Sequence, residues 1–452
     1  MKEKVQMQRR YFHTNETKEL SFRMNMLKKL KKALLDYENE LLAALKEDLN
    51  KSTSEAFLTE LGPLYHEITF MLKHLPTWIK RKKVKTPLTH VGSKGYIHYE
   101  PYGVVLIIAP WNYPLQLAIN PLIGAIAAGN CAIVKPSELT PATSGVITEM
   151  IENTFPEEYV CSVEGGVETS QALLAEKMDY IFFTGSVGVG KHVMKAASRH
   201  LTPVTLELGG KSPAIVCEDA QIAVTAKRMA WGKFLNAGQT CVAPDYVLVH
   251  DSKKEDFLKA LQTEIKTLFQ RKIDRGDYPT IVSDRHFARL IRFLQDGDVV
   301  SGGQHERNKR FIAPTVLTNV SWESPVMEDE IFGPILPVFS FSELDEVIEK
   351  VRERPHPLAL YLFTESKETE EKLIHSLSFG GGCINDTVMH LATPYLPFGG
   401  VGESGMGAYH GEESFYTFSH RKSVLKQPTS VDLPIRYKES KLSLKMLRKL
   451  FQ

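Results

Sequence analysis

Short apolar runs alternate with helix-length amphipathic stretches along most of the chain. The runs are VVLIIA, AIVK, YIFF, VTLEL, AIVC, YVLVH and LALYLF. Strands of a parallel sheet are covered on both faces, so they are apolar throughout instead of alternating with polar residues. Parallel strands that alternate with helices are joined by right-handed crossovers. The pattern therefore predicts an α/β fold.

Two other stretches have different patterns. Residues 21–49 predict one long amphipathic helix, because apolar residues recur there at spacings of three and four. These residues are Leu27, Leu30, Leu34, Tyr37, Leu41 and Leu45. Residues 84–101 combine β-forming segments with a Gly-Ser turn, and they predict a hairpin arm outside the main sheet.

The stretch from Pro101 to Val134 contains no charged side chain and is long enough to suggest a membrane span. Prolines interrupt it at Pro110, Pro114 and Pro121, and a proline removes a backbone donor from a helix. We therefore interpret the stretch as a strand, a loop, a buried helix and a second strand.

Composition and charge narrow the functional classes. The chain has 452 residues, enough for two or three domains. Its formal net charge is +1, so charge does not favour nucleic acid as a partner. The five cysteines are widely spaced and form no CxxC pair, so we expect free thiols and no metal site. The first residues lack the apolar core of a secretory signal, and we expect a cytoplasmic protein.

A glycine-rich segment, YIFFTGSVGVGKH at 180–192, predicts a strand and a turn that lead into a helix over VMKAASRH. Such a turn exposes backbone N–H groups and a helix N-terminus, which attract phosphate. Gly185 to Lys191 also has P-loop spacing, but His192 stands where a P-loop needs Ser or Thr for magnesium. The turn indicates a phosphate-bearing ligand, and a purely structural turn is the alternative.

Two further segments are compatible with a nucleotide. In CAIVKPSE, Lys135 and Glu138 follow a predicted parallel strand, a position at which side chains bind ribose hydroxyls. In EDEIFGP, Glu330 and Phe332 precede a Gly-Pro turn, and a carboxylate with an aromatic ring suits a second ribose. The residues alone leave solvated surface charges and a core phenylalanine as alternatives.

The segment NAGQTC, residues 236–241, sets Cys241 among small and polar residues. A nucleophilic thiol is one interpretation, and an inert small core residue is the other. The local sequence does not decide between them, since a nucleophile is defined by the groups that surround it.

Six segments occur in one order along the chain: PWNYPLQLAINPLIGAIAAGNCAIVKPSE, FTGSVGVGK, LELGGKSP, NAGQTC, EDEIFGP and PFGGVGESGMG. In this order they resemble the aldehyde dehydrogenase superfamily. The short length, the KPSE segment and the LPFGGVGESGMG ending resemble its class 3 branch, which includes fatty and aromatic aldehyde dehydrogenases. The resemblance covers residues 20–426.

The resemblance implies a domain organisation and a set of site residues. It implies a Rossmann-like nucleotide-binding domain (1–83 and 102–208), an α/β catalytic domain (209–388), and a small β oligomerisation arm with a C-terminal segment (84–101 and 389–435). Cys241 matches the nucleophile, Glu207 the general base and Asn112 the oxyanion donor. The cofactor positions are Lys135 and Glu138 at the adenosine ribose, Gly185, Ser186 and Gly190 at the pyrophosphate turn, and Glu330 and Phe332 at the nicotinamide ribose.

These roles imply NAD(P)-dependent oxidation of medium- or long-chain aliphatic or aromatic aldehydes to acids through a Cys241 thioester. We expect NAD to be preferred over NADP, because Glu138 would repel a 2′-phosphate while Lys135 offsets part of that repulsion. We also expect a homodimer. The alternative enzyme passes the thioester to coenzyme A, but the presence of Glu207 argues against it. His192 argues against a P-loop nucleotidase, and the intact site residues argue against a non-enzymatic scaffold.

The last residues, 436–452, form a basic segment with apolar positions at helical spacing. Such a segment resembles a helix that lies on a membrane surface, and it is too short and too charged to span one. A helix docked on the protein itself or a frayed end is the other interpretation, and we prefer it.

Overall fold

A computed structural model describes residues 1–431, together with residues 444, 445 and 448. The predicted basic tail, 436–452, therefore lies outside the described residues except at those three positions. Among the described residues, no helix has both the length and the apolar character needed to cross a membrane.

The strands follow the apolar runs of the sequence. They are β1 (Lys82–Val84), β2 (Lys94–Pro101), β3 (Val104–Ile108), β4 (Cys131–Lys135), β5 (Val160–Ser162), β6 (Tyr180–Thr184), β7 (Val204–Glu207), β8 (Pro213–Val216), β9 (Tyr246–His250), β10 (Asp298–Ser301), β11 (His305–Glu306), β12 (Phe311–Ile312), β13 (Thr315–Thr318), β14 (Ile335–Phe341), β15 (Ala359–Phe363), β16 (Gly381–Ile384), β17 (Gly405–Met406) and β18 (Ser419–Lys426). Each of the seven predicted runs contains or overlaps a strand, which confirms that part of the prediction.

Helices separate most of these strands. They are α1 (Lys2–Phe12), α2 (Leu20–Asp36), α3 (Glu38–Leu49), α4 (Thr53–Ala56), α5 (Gly62–Trp78), α6 (Pro114–Ala128), α7 (Pro141–Thr154), α8 (Val167–Leu174), α9 (Val187–Ser198), α10 (Ile222–Phe234), α11 (Lys254–Asp274), α12 (Asp284–Phe293), α13 (Pro325–Glu328), α14 (Leu344–Arg352), α15 (Lys367–Ser376) and α16 (Gly411–Thr417). A turn of π-helix, Phe57–Leu61, joins α4 to α5.

Two large sheets organise the molecule. One has six strands in the order β17-β7-β6-β3-β4-β5, all parallel except β17. The other has seven strands in the order β10-β13-β14-β9-β8-β15-β16, all parallel except β10. These parallel sheets between helices confirm the α/β fold class. Because β7 belongs to one sheet and β8 to the other, the short connection 208–212 between these strands joins the two sheets.

A third sheet stands apart and is antiparallel. β2 pairs with β1 on one side and with β18 on the other. The pairing of β1 with β2 confirms the hairpin expected around residues 84–101. Most side chains on β1 and β18 are exposed to solvent.

Two predicted helix boundaries were wrong. The helix expected over 21–49 is two helices, α2 and α3, because the backbone of Tyr37 leaves the helical region at φ −99° and ψ 9°. The apolar spacing continues across this break because both helices bury the same face. The helix expected to begin at VMKAASRH instead begins at Val187, because the Ser186 hydroxyl caps it by accepting the N–H of Val189. Gly188 and Gly190 are therefore helical residues and do not belong to the turn.

The uncharged stretch 101–134 folds as predicted into β3, a loop, α6 and β4. Every residue of α6 is buried. Pro114 is its first residue, where a missing N–H costs nothing. Pro121 lies inside the helix and does not end it. The helix ends at Gly129, whose φ of 94° is a conformation that glycine adopts most readily.

Candidate active site

Three predicted site residues come from chain segments that meet between the two large sheets. Asn112 lies in the loop between the carboxyl end of β3 and the start of α6. Glu207 is the last residue of β7, and Cys241 lies in the connection from α10 to β9. Carboxyl ends of parallel strands are the usual place for a site in an open α/β sheet, and here the second sheet closes that edge.

The loop before Cys241 has a strained backbone. Asn236, Ala237 and Gly238 have φ values of 50°, 51° and 70°, which is the left-handed region for three residues in succession. A Cβ on Gly238 would lie 2.2 Å from the carbonyl oxygen of Gly333, so only glycine fits there. The two non-glycine residues carry a conformational cost, and such strain occurs mainly where a site needs a fixed shape.

Hydrogen bonds from distant segments hold this strained loop. The buried carboxylate of Glu55 accepts the N–H of Asn236 at 2.9 Å. The side chain of Gln239 donates to the carbonyl of Thr280 at 3.0 Å and accepts the N–H of Val282 at 3.0 Å. Because the residues on both sides of the turn are anchored, the position of Cys241 is fixed.

Cys241 is a free cysteine and is partly exposed as a residue, whereas an inert core residue is fully buried. Its surroundings raise its pKa above the ordinary value, chiefly through burial and then through the charges of Glu330 and Glu207. The thiol is therefore protonated at rest, and it needs a proton acceptor before it can act as a nucleophile. Cys131, Cys161 and Cys217 are buried, as expected for core residues. Cys383 differs from that expectation: it is partly exposed, and its Sγ lies 3.5 Å from Nδ1 of His390.

Asn112 contacts the cysteine loop directly. Its side-chain amide donates to the carbonyl of Gln239 at 3.1 Å. An amide nitrogen carries two hydrogens, so this bond leaves one free for a second acceptor. The arrangement suits a donor to an oxyanion that forms on a carbon attached to Cys241.

The carboxyl group of Glu207 is buried, and neither of its oxygens has a hydrogen-bond partner within the described chain. Burial raises its pKa well above the ordinary value. An unsatisfied buried carboxyl group is costly, so its presence indicates a function in proton transfer. The backbone of Glu207 is fixed, because Gly405 of β17 pairs with it and its carbonyl accepts the N–H of Gly185 at 3.0 Å.

A second carboxyl group, that of Glu330, also faces the cysteine. Its carboxylate accepts the backbone N–H of Gly210, and a Cβ on Gly209 would lie 2.0 Å from its Oε2. The charge of Glu330 raises the pKa of the Cys241 thiol more than that of Glu207 does. The sequence associates Glu330 with the nicotinamide ribose, and in the structure its charge also acts on the Cys241 thiol.

The residues predicted for the adenosine ribose and the pyrophosphate follow strands of the six-stranded sheet at its carboxyl edge, whereas Glu330 and Phe332 lie between α13 and β14. Lys135 is buried at the end of β4, and its Nζ donates to Glu138 at 2.6 Å. The hydroxyl of Thr184 at the end of β6 is buried without a partner in the described chain. Nothing lies within 4 Å of the Cβ position of Gly188, in the first turn of α9. The ammonium group of Lys135, the unpaired hydroxyl of Thr184 and the open space beside the first turn of α9 are compatible with a bound nucleotide.

Three other predicted cofactor residues have structural contacts of their own. The N–H of Gly185 donates to the carbonyl of Glu207, so it is not free for phosphate. A Cβ on Gly190 would lie 2.6 Å from Leu208, so this glycine lets α9 pack closely against the end of β7. Phe332 packs edge-to-face on Trp111 with ring centres 5.2 Å apart.

Several charged residues near the cleft are absent from the sequence-based prediction. Lys51, Glu55 and Glu60 come from the segment between α3 and α5 and are buried. Another group surrounds the connection from α10 to β9, where Lys211 donates to Asp245 at 2.6 Å and burial lowers the pKa of Lys233 to about 8. Lys211 lies within the quoted segment LELGGKSP, but nothing in the sequence shows that its partner is Asp245.

The comparisons with known proteins agree with this geometry. Residues 1–424 match the family described as "Aldehyde dehydrogenase family". A 4,4′-diaponeurosporen-aldehyde dehydrogenase of Staphylococcus aureus is 50% identical over 445 residues, which cover 98% of this chain and 97% of that protein. A dimeric NADP-preferring aldehyde dehydrogenase of Rattus norvegicus is 42% identical over 93% of each chain. A substrate-bound structure of Staphylococcus aureus AldH superposes with a TM-score of 0.97 at 49% identity, over 100% of this chain and 99% of that one.

Proposed function

The chain belongs to the aldehyde dehydrogenase family and oxidises aldehydes to carboxylic acids with NAD or NADP, and we propose that Cys241, Asn112 and Glu207 carry out this reaction. The observation that supports these roles best is the buried carboxyl group of Glu207, which has no hydrogen-bond partner in the described chain and whose charge acts on the Cys241 thiol. A structural role gives no reason for two orphan oxygens, whereas a base that waits for water or a thiol proton needs them free.

In the first half of the reaction, the Cys241 thiol gives up its proton to solvent water, and the sulfur attacks the aldehyde carbon. The thiol needs a proton acceptor because its pKa is raised. The negative charge that develops on the aldehyde oxygen is stabilised by the free hydrogen of the Asn112 amide. The anchored loop keeps sulfur and amide in one arrangement, which reduces the entropic part of the barrier.

NAD or NADP, when bound, supplies the acceptor for the hydride that leaves the substrate carbon. Lys135, Glu138 and the first turn of α9 would hold its adenosine and phosphate groups, and Glu330 and Phe332 would lie at its other end. The second half of the reaction removes the acyl group from Cys241. Glu207 takes a proton from water, and the resulting hydroxide attacks the thioester. Burial makes Glu207 a stronger base than an exposed carboxylate.

For the cofactor, we propose that NAD is preferred and that NADP is usable. Glu138 is exposed at the end of β4, and its carboxylate would repel a 2′-phosphate. Lys135 is paired with it and reduces that repulsion. The rat relative is named NADP-preferring, which supports NADP as a usable cofactor for a protein of this kind.

For the substrate, we propose medium- or long-chain aliphatic or aromatic aldehydes. The resemblance to the class 3 branch supports this choice, and so does the relative named for 4,4′-diaponeurosporen-aldehyde. A panel of hexanal, hexadecanal and benzaldehyde would test it through kcat/KM, and a preference for acetaldehyde would contradict it.

For assembly and location, we propose a cytoplasmic homodimer. The rat relative is named dimeric, and the antiparallel sheet β1-β2-β18 leaves both of its edge strands exposed. Sedimentation equilibrium would test the assembly, and a monomer at micromolar concentration would contradict it.

The primary test of function is the absorbance at 340 nm when the protein is mixed with hexanal and NAD. We expect NADH to form without coenzyme A and the product to be hexanoic acid. Dependence on coenzyme A would favour the acylating alternative. An absence of NADH with every aldehyde and both cofactors would contradict the proposed roles.

A further inference from the structure

A fully buried ion pair lies behind the loop that carries Asn112. Nζ of Lys51 is 2.5 Å from Oε1 of Glu60, and neither side chain has any exposed surface. Lys51 follows α3, and Glu60 lies in the π-helical turn Phe57–Leu61. Turns of this kind inside helical segments are frequent at functional sites.

Glu60 secures the start of α6. Its Oε2 accepts the N–H groups of Leu115 at 2.9 Å and of Gln116 at 3.2 Å. These donors have no partner within the helix, and a negative charge is favourable at a helix N-terminus. The carboxylate therefore connects the N-terminal helices to the helix that begins two residues after Asn112.

Lys51 contacts both residues that precede α6. Its ammonium donates to the backbone carbonyl of Asn112 at 2.9 Å. It also lies 4.1 Å from the ring centre of Tyr113, within the range of a cation–π interaction. The side-chain amide of Asn236 donates to the same carbonyl at 2.8 Å, so Lys51 shares this acceptor, and Lys51 also contacts the ring that follows it.

Asn112 and Tyr113 in turn contact the two residues before the nucleophile. The Asn112 amide donates to the carbonyl of Gln239 at 3.1 Å. The Tyr113 hydroxyl lies 2.6 Å from Oγ1 of Thr240. Two consecutive residues held by Lys51 therefore contact the two consecutive residues that lead into Cys241.

We propose that Lys51 is a positioning residue for aldehyde oxidation: paired with Glu60, it fixes the Asn112–Tyr113 segment so that the Asn112 amide meets the oxyanion formed at Cys241. This inference rests on the proposed role of Asn112. A fold-stabilising role alone would not favour an ion pair at this place, because well-packed apolar side chains are usually at least as stable.

The test is the kcat/KM for hexanal with saturating NAD, which reports the steps up to thioester formation. The variants are Lys51→Met and the double variant Lys51→Met/Glu60→Gln, in which no buried charge loses its partner. Each is also made in the Asn112→Ala background. Lys46→Met is the matched control, because it breaks an exposed ion pair with Asp277 only five positions earlier in the chain.

We expect kcat/KM to fall about 10- to 100-fold in both Lys51 variants, since a misplacement of about 1 Å can cost ~10²-fold. The KM for NAD should change less than about twofold, as should every parameter of Lys46→Met. In a protein that already carries Asn112→Ala, adding the Lys51 substitution should lower kcat/KM by less than about threefold further. Lys51 acts through the Asn112 amide, and that amide is absent in this background.

Three outcomes would overturn the proposal. They are full kcat/KM in Lys51→Met, a loss of equal size in the two backgrounds, and the absence of a cooperative melting transition in both Lys51 variants, which would make the pair a requirement of folding. Failure of the proposed function looks different. There the unaltered protein forms no NADH, or Asn112→Ala keeps full activity.

Discussion

The side-chain amide of Asn112 donates a 3.1 Å hydrogen bond to the carbonyl of Gln239, a residue 127 positions away in the chain. This bond joins the loop after β3, in the six-stranded sheet, to the loop before β9, in the seven-stranded sheet. The oxyanion donor and the nucleophile therefore form one unit across the two sheets. Glu207 approaches from the end of β7 and does not take part in that unit. The two halves of the proposed reaction depend on separable residues.

Replacing Cys241 tests the first half. Cys241→Ala removes the sulfur, so neither hydride transfer nor a thioester is possible. We expect no NADH from hexanal, not even one equivalent per site in a rapid-mixing experiment. An NADH burst from this variant would exclude Cys241 as the nucleophile.

Replacing Glu207 tests the second half. Glu207→Gln keeps the sulfur and nearly the same shape, so one turnover of NADH should form before the thioester accumulates. Steady turnover should fall about 10²–10⁴-fold, the usual contribution of a general base. Intact mass spectrometry should detect an acyl adduct on Cys241. Slow turnover with neither burst nor adduct would instead place Glu207 in the activation of the thiol.

The same carboxyl group gives a pH dependence. Burial raises the pKa of Glu207, so its basic form becomes populated only as the pH rises above the range of an ordinary carboxylate. Steady turnover of the unaltered protein should therefore increase with pH on its acidic side. In Glu207→Gln, the rise of turnover with pH on the acidic side of the profile should disappear. If the rise persists unchanged, the titrating group is not Glu207.

The left-handed turn predicts different effects on the free energy of unfolding at two neighbouring residues. Gly238→Ala adds a Cβ that meets the Gly333 carbonyl at 2.2 Å, so it should lower the free energy of unfolding by about 2 kcal/mol or more. Ala237→Gly relieves a φ of 51° and should leave stability unchanged or raise it by up to about 1 kcal/mol. Urea titration measures both, and equal losses at the two positions would contradict this account of the loop.

Cofactor choice should depend on Glu138. Glu138→Gln removes the charge that repels a 2′-phosphate and leaves Lys135 free to attract one. We expect the ratio of kcat/KM for NADP to that for NAD to increase about 10-fold, which corresponds to about 1.4 kcal/mol. The exposed Glu157→Gln, which breaks a surface pair with Lys4, is the control. An unchanged ratio would place Glu138 away from the ribose.

Glu67 predicts a dependence of stability on pH. Burial raises its pKa from 4.5 to about 7, although the N–H of Gly411 donates to it at 2.7 Å. The folded protein thus binds this proton more tightly than the unfolded chain. Its stabilising contribution is complete below pH 4.5 and is lost as the pH rises through about 7. Relative to Glu67→Gln, the unaltered protein should lose about 3 kcal/mol over this interval. If the free energy of unfolding depends on pH in the same way in both proteins, the raised pKa of Glu67 is contradicted.

The sequence predicts the strands because a strand buried on both faces consists of consecutive apolar residues. Runs such as VVLIIA and LALYLF have no polar alternation, and each contains a buried parallel strand. The apolar pattern does not reveal the helix break at Tyr37, because one non-helical residue separates α2 from α3 without changing which face is apolar. It also fails at Val187, where a serine cap decides the helix start in a segment that contains several glycines.

The candidate nucleophile, base and amide are proposed from the family resemblance, because each lies in a distinctive segment, NAGQTC, LELGG or PWNYP. The buried charged residues that hold the nucleophile and the amide in place are not predictable in this way. Lys51 contacts a residue 61 positions away, and Glu55 contacts one 181 positions away. In the sequence both are ordinary charged residues in the polar stretch between α3 and α5. The sequence by itself determines which residue types are available for the chemistry and which segments must be buried. Only the tertiary structure decides which buried charges meet, because a buried ion pair depends on distance and exclusion of water, and residue spacing along the chain specifies neither.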